Sequence, residues 1–119
     1  MRRRDALLLA LAAASRPAHA AVPAMQEVAP GIWVRPGVHE EATAANQDGI
    51  ANIGFIIGRD AVAVLDPGGS LADGQALRAA LRARTALPIR YVVMTHLHPD
   101  HVFGAAAFAD DQPVFVGHA

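Results

Sequence analysis

A chain of 119 residues with 53% hydrophobic and 18% charged side chains has room for one small globular domain. Its ten basic residues, all arginine, stand against eleven acidic ones, and no basic stripe argues for nucleic acid. The absence of cysteine excludes disulfides, thiolate metal ligands and a cysteine nucleophile.

The amino terminus has the pattern of an export signal. Arg2, Arg3 and Arg4 precede an apolar run from Ala6 to Ala14, and Ala18-His19-Ala20 offers small residues where a signal peptidase reads. Cleavage is expected after Ala20, making residues 1–20 a signal peptide and the mature chain periplasmic or secreted. The apolar run falls short of the ~20 residues that span a bilayer, so no membrane span is expected after cleavage. Arg3-Arg4-Asp5-Ala6-Leu7-Leu8 resembles a twin-arginine signal, leaving the general secretory and twin-arginine routes both open. Without residues 1–20 the chain has six basic and ten acidic residues and is mildly acidic.

Residues 21–27 read as a lead-in closed by Pro30-Gly31. Ile32-Trp33-Val34-Arg35 has the content of a strand and stops at Pro36-Gly37, with Trp33 expected in the core. His39 follows in a polar loop beside Glu40 and Glu41, where a solvated imidazole is expected. Residues 50–57 and 61–65 are two apolar runs joined by Gly58-Arg59-Asp60, the pattern of a β-hairpin. Both runs are nearly continuous in apolar residues, which predicts a layer packed on each face of the sheet. The second ends at Asp66-Pro67-Gly68-Gly69, where Asp66 can either brace a neighbouring loop or cap its own turn. That turn lacks the spacing and the lysine of a phosphate loop.

Ser70 is a candidate N-cap, with Asp73 in the first turn of the helix that follows. Leu71, Leu77 and Leu81 form its apolar stripe, and Arg78, Arg82 and Arg84 are expected on the solvated side or just beyond it. Pro88 ends this helix before a buried strand over Tyr91-Val92-Val93-Met94. Strand, helix and strand then make a β-α-β unit.

The strand runs directly into Thr95-His96-Leu97-His98-Pro99-Asp100-His101, which holds three of the six histidines in the chain. On extended backbone, side chains two apart share a face, so His96 and His98 can converge on one ion. Pro99 biases His98 toward an extended shape and turns Asp100 and His101 away from that pair. Imidazole and carboxylate suit zinc, and a catalytic site keeps one position open for water. Two such ions about 3.5 to 4 Å apart could share a hydroxide and polarise a carbonyl or phosphoryl oxygen.

The heptapeptide resembles the H-x-H-x-D-H signature of the metallo-β-lactamase-fold hydrolases. The resemblance covers residues 28–119, which would form the N-terminal half of an αββα sandwich, a mixed sheet with covering helices in the α/β class. It implies that His96 and His98 bind a first metal and that Asp100 and His101 bind a second. It further implies that Asp100 orients the nucleophile or carries its proton, and that Asp66 and Thr95 support the ligand loop by hydrogen bonding. The implied cofactor is one or two Zn2+, with iron or manganese able to use the same donors. The implied reaction is attack by a metal-bound hydroxide on an ester, thioester, lactone or lactam of a small-molecule substrate. An iron-dependent redox enzyme on the same scaffold and a non-catalytic fragment are the alternatives. The following Val102-Phe103-Gly104-Ala105-Ala106-Ala107-Phe108 looks like a branch of exported zinc hydrolases associated with quinoprotein and sulfur-oxidation systems. Most of the superfamily has Gly-Gly where this chain has Val102-Phe103-Gly104. The later histidine, bridging aspartate and final histidine that complete the family's site have no counterpart here.

Residues 102–109 read as a short helix, with Phe103 and Phe108 as packing groups. Pro113 to Val116 reads as a last strand. His118 follows at its end and matches none of the motif's metal positions.

Overall fold

A computed structural model describes residues 23–119; the export signal read at residues 1–20 lies outside them. Six strands form one mixed sheet in chain order: β1 (Gln26–Ala29), β2 (Ile32–Arg35), β3 (Ile53–Ile57), β4 (Val62–Leu65), β5 (Ile89–Val93) and β6 (Val114–Val116). The first four pair antiparallel, and β5 and β6 then add parallel to β4. Helix α1 (Leu71–Arg82) makes the crossover from β4 to β5, and a one-turn helix α2 (Pro99–Val102) with a 3₁₀ segment (Ala105–Asp111) connects β5 to β6. Parallel neighbours need such crossovers, and the β-α-β unit read from the sequence supplies the first.

Local chemistry accounts for these elements. The hairpin turns at Gly31, whose φ of +75° suits a residue without a Cβ, and again at Gly58-Arg59-Asp60. Ser70 caps α1 by accepting from the Asp73 N–H at 3.1 Å, as Ser70 and Asp73 predict. Leu77 and Leu81 turn inward from α1 and meet Ile53, Phe55, Val62, Val64 and Val92 on the facing sheet, with Phe108 closing the core from the 3₁₀ segment. Phe55 and Phe108 are fully buried, each stabilising the fold by roughly 1.5 to 3 kcal/mol relative to an exposed ring.

Four expectations are corrected. The lead-in carries β1 from Gln26, an exposed edge strand whose four residues have no apolar run to announce it. The sheet is covered on one face only among the described residues. In β3, Phe55 is buried while Ile56 is exposed, and Tyr91 on β5 is 44% exposed. The continuous apolar runs therefore have one packed face and one open face. The expected helix at 102–109 begins earlier, at Pro99, because proline suits the first helical position, and then tightens into 3₁₀. Phe103 points away from the core and is 64% exposed, since the break between the two short helices turns it outward.

The arginines of α1 are also less solvated than their spacing implies. Asp111 accepts from Arg78 Nε at 2.7 Å and Nη2 at 3.0 Å, and from Arg82 Nη2 at 3.0 Å. Arg84 lies 4.0 Å over the ring of Trp33, which is half-buried against Phe55.

Candidate metal centre

The site is built where β4 and β5 end side by side. Their register pairs Leu65 with Val93, so Asp66 and Met94 leave the sheet together and the ligand loop starts above Asp66. The Asp66 N–H donates to the Val93 carbonyl at 2.8 Å, which carries the parallel pairing one residue past the strand. Asp66 then turns through a φ of +54°, a left-handed conformation that costs on the order of 1 kcal/mol for a residue with a Cβ. Its buried carboxylate offsets that cost. Oδ1 accepts from the Thr95 N–H at 2.7 Å, and Oδ2 accepts from the Thr95 hydroxyl at 2.8 Å and from His101 Nδ1 at 2.8 Å.

These bonds fix two tautomers. A carboxylate only accepts, so His101 Nδ1 is the donor, and Nε2 is the lone pair of the neutral ring. Thr95 spends its single proton on Asp66, so its oxygen accepts from His96 Nδ1 at 3.1 Å. In the neutral ring His96 Nε2 is likewise the lone pair. One aspartate, acting directly and through a threonine, orients both imidazoles.

Backbone contacts hold α2 over this turn. The Gly104 N–H donates to the Gly68 carbonyl at 2.8 Å, and a Cβ on Gly104 would stand 2.2 Å from the Pro67 carbonyl oxygen. This approach keeps Asp100 and His101 close to Asp66. The turn is itself anchored by Asp73, whose carboxylate accepts from the Gly69 N–H at 3.0 Å and pairs with Arg35 Nη1 at 2.9 Å. Both partners of that ion pair are buried, so removing either would strand a charge. The sequence held a sign of it: Arg35 ends an apolar strand with the same inward parity as Trp33, where an unpaired charge could not be buried.

His96, His98 and His101 form one group. The ring centroids of His96 and His98 are 4.8 Å apart, and those of His96 and His101 are 3.8 Å apart. His98 has the extended backbone that precedes a proline, with φ of −65° and ψ of 141°. Thr95 and His96 form a bend instead of continuing the strand, so a turn brings the first two rings together and strand alternation does not. Asp100 and His101 are partly buried at 23% and 18% exposure. His39 is exposed, as its loop predicts.

The donors fit a tetrahedral divalent ion at the level of the pair. With bonds of about 2.1 Å, two ligands on such an ion stand about 3.4 Å apart. His101 Nε2 and Asp100 Oδ2 are 3.4 Å apart. That one separation would admit a divalent cation shared by the two groups. Among the described residues, no group of three or more histidine, aspartate or glutamate side chains is gathered closely enough to hold one ion together.

A family model, the metallo-beta-lactamase superfamily, matches residues 46–118, from the loop before β3 to His118, two residues past β6. The chain belongs to that superfamily. In sequence it is similar to a linear primary-alkylsulfatase of Pseudomonas sp. (strain ATCC 19151), 35% identical over 54 residues, which cover 45% of this chain and 10% of that one. In structure it is similar to TMB-1, with a TM-score of 0.63 and 16% identity over 85% of this chain and 44% of the other. The metallo-beta-lactamase FIM-1 from Pseudomonas aeruginosa, solved in a mono-zinc form, gives a TM-score of 0.61 and 22% identity, covering 88% of this chain and 45% of the other. At these identities the structures establish the fold. The chain spans a tenth of the alkylsulfatase and a little under half of each metallo-beta-lactamase.

Proposed function

We propose that the chain carries the metal-binding loop of a zinc-dependent hydrolase that cleaves an ester, thioester, lactone or lactam bond. The observation that supports this most is the brace beneath the loop: Asp66 commits the Nδ1 side of His101, and through Thr95 that of His96, to hydrogen bonds. Such a brace has little use in surface histidines that hold no metal, and it is what a ligand set needs to keep its lone pairs aimed.

His96 and His98 would hold one zinc and Asp100 with His101 a second. Zinc there would supply a Lewis acid and bring the pKa of a coordinated water toward about 7. The chain's own residues do the rest. Asp66 orients His101 through its Nδ1, and Thr95 orients His96 in the same way. Asp100, partly exposed above the loop, can hold a water by one carboxylate oxygen and accept its proton. Sulfate esters are added to the substrates to be tested because the chain is similar to part of an alkylsulfatase.

The test is metal titration followed by assay. Chain stripped with a chelator and titrated with zinc, iron(II) and manganese(II) is expected to prefer zinc, and His96→Ala is expected to weaken zinc at least about tenfold. Zinc-loaded chain is then offered 4-nitrophenyl esters, a thioester, a lactone, a lactam and an alkyl sulfate. Tight iron with no hydrolysis of any of them would overturn the reading in favour of a redox site. Equal zinc uptake by His96→Ala would remove the loop from metal binding.

A further inference from the structure

We propose that His118 is a substrate-contacting residue of this site, donating an imidazole N–H to an oxyanion carried on a short alkyl or acyl chain. The inference rests on the reading of His96, His98, Asp100 and His101 as metal ligands, and it adds a residue that the motif does not contain.

Topology brings His118 to the site. Strands β5 and β6 run parallel with Val93 beside Val116, and the Met94 N–H continues the pairing by donating to the Val116 carbonyl at 2.8 Å. Both chains thus leave the sheet at the same edge, Thr95 opening the ligand loop and His118 lying two residues past Val116. Crevices outside the carboxyl ends of parallel strands are where α/β sheets bind ligands. Here an open cavity of about 440 Å³ occupies that place, lined by Thr95, His96, Leu97, His98, His118 and Ala119.

The lining sorts into two kinds of surface. His96, His98 and His118 give it a wall of imidazoles, while Leu97, 82% exposed, and Ala119 give it an apolar one. Among the described residues no three or more such side chains are placed to hold one ion together, so His118 makes no three-donor metal site with His96 and His98. Its ring therefore shares the cavity with the ligand histidines without joining them, and the volume between is large enough for a small molecule. An amphiphilic substrate fits this division: its oxygens lie between the histidines and its hydrocarbon against Leu97. His118 is exposed and can turn an imidazole N–H toward such an oxyanion, and a hydrogen bond involving a charged group is stronger than a neutral one.

The experiment uses the full chain loaded with zinc and two probes, octanoate and octyl sulfate, which present a carboxylate and a sulfate on the same tail. Calorimetry is run on wild type, His118→Ala, His118→Gln and His96→Ala. Wild type is expected to bind at least one probe, and the better-bound probe distinguishes carboxylic from sulfuric ester chemistry. His118→Ala is expected to bind that probe about tenfold or more weakly, the worth of one hydrogen bond to a charged group. It should keep the zinc affinity of wild type, and His118→Gln, which retains an N–H donor, should recover part of the loss. Probe affinity unchanged in His118→Ala, or no probe binding by zinc-loaded wild type, would overturn the proposal. A zinc affinity that falls in His118→Ala as far as in His96→Ala would also overturn it, by making His118 a ligand. Wild type that takes up no zinc would sink the metal reading and this proposal together, whereas zinc uptake with unaltered probe binding sinks the role of His118 alone.

Discussion

Asp66 is the residue on which the ligand loop depends most directly. It is buried at 5% exposure, sits in a left-handed conformation, and accepts three hydrogen bonds from Thr95 and His101. Asp66→Asn keeps the shape but replaces one acceptor oxygen by a donor, so it cannot satisfy the Thr95 hydroxyl and His101 Nδ1 together. Thr95→Val removes only the link to His96. The two changes should therefore rank. Asp66→Asn is expected to weaken zinc binding by roughly 10- to 100-fold, as losses of a ligand's hydrogen-bond partner do, and Thr95→Val by less. Competition against a colorimetric zinc chelator measures both. A larger effect of Thr95→Val would mean that the brace runs through the backbone and not through the carboxylate. The sequence left Asp66 between loop support and a self-capping turn. In the structure the carboxylate accepts from Thr95 and His101 and not from its own turn, because the register of β4 with β5 sets Thr95 over it, and register between strands that are distant in sequence cannot be read from either one.

At the scale of elements, the contact between α1 and the 3₁₀ segment carries charge as well as apolar packing. The Arg78 guanidinium, through its hydrogen bond, and then Arg82 hold the Asp111 carboxyl below the usual carboxylate range, against a burial effect that raises it. Arg78 is in turn pushed above its ordinary value by the same hydrogen bond. A carboxyl with a depressed folded pKa stabilises the fold at every pH above its unfolded value of about 3.9 and loses that contribution as pH falls through the folded value. The raised arginine contributes below its ordinary value, so its loss belongs to extreme alkali and leaves the acid side to Asp111. Asp111→Asn is expected to cost about 1 to 2 kcal/mol near neutral pH, discounted because Arg78 is 36% exposed. The gap between variant and wild type should close as pH falls below about 4. Urea denaturation at a series of pH values measures it, and a gap that is constant with pH would show a packing effect instead. Helical spacing put Arg78 and Arg82 on a polar face and was right about the face. It was silent about Asp111, which is 33 residues from Arg78 and meets it only because the segment after the ligand loop folds back.

For the whole molecule, the strands after β1, the hairpin, the capped helix and the β-α-β unit were legible, because each is a local pattern of apolar period and turn residues. What lies on each side of the sheet was not. A continuous apolar strand reads the same whether two layers cover it or one, and here Ile32, Ile56 and Ala63 lie abreast across β2, β3 and β4 on the parity opposite Phe55. Ile56 is 36% exposed at the middle of that row. A contiguous apolar face of this kind is a site of association in water. The chain of 119 residues by itself is expected to associate as its concentration rises and to bind a hydrophobic dye. Ile56→Lys should reduce both, and should change unfolding stability by little more than the ±0.5 kcal/mol usual for a surface position, because the core on the other face does not include it. Sedimentation velocity with parallel dye titration measures the two effects. A lysine that unfolds the chain would show Ile56 to be part of the packed interior. A lysine that leaves association untouched would place the association elsewhere, at the exposed β6 edge with Val114, Phe115 and Val116.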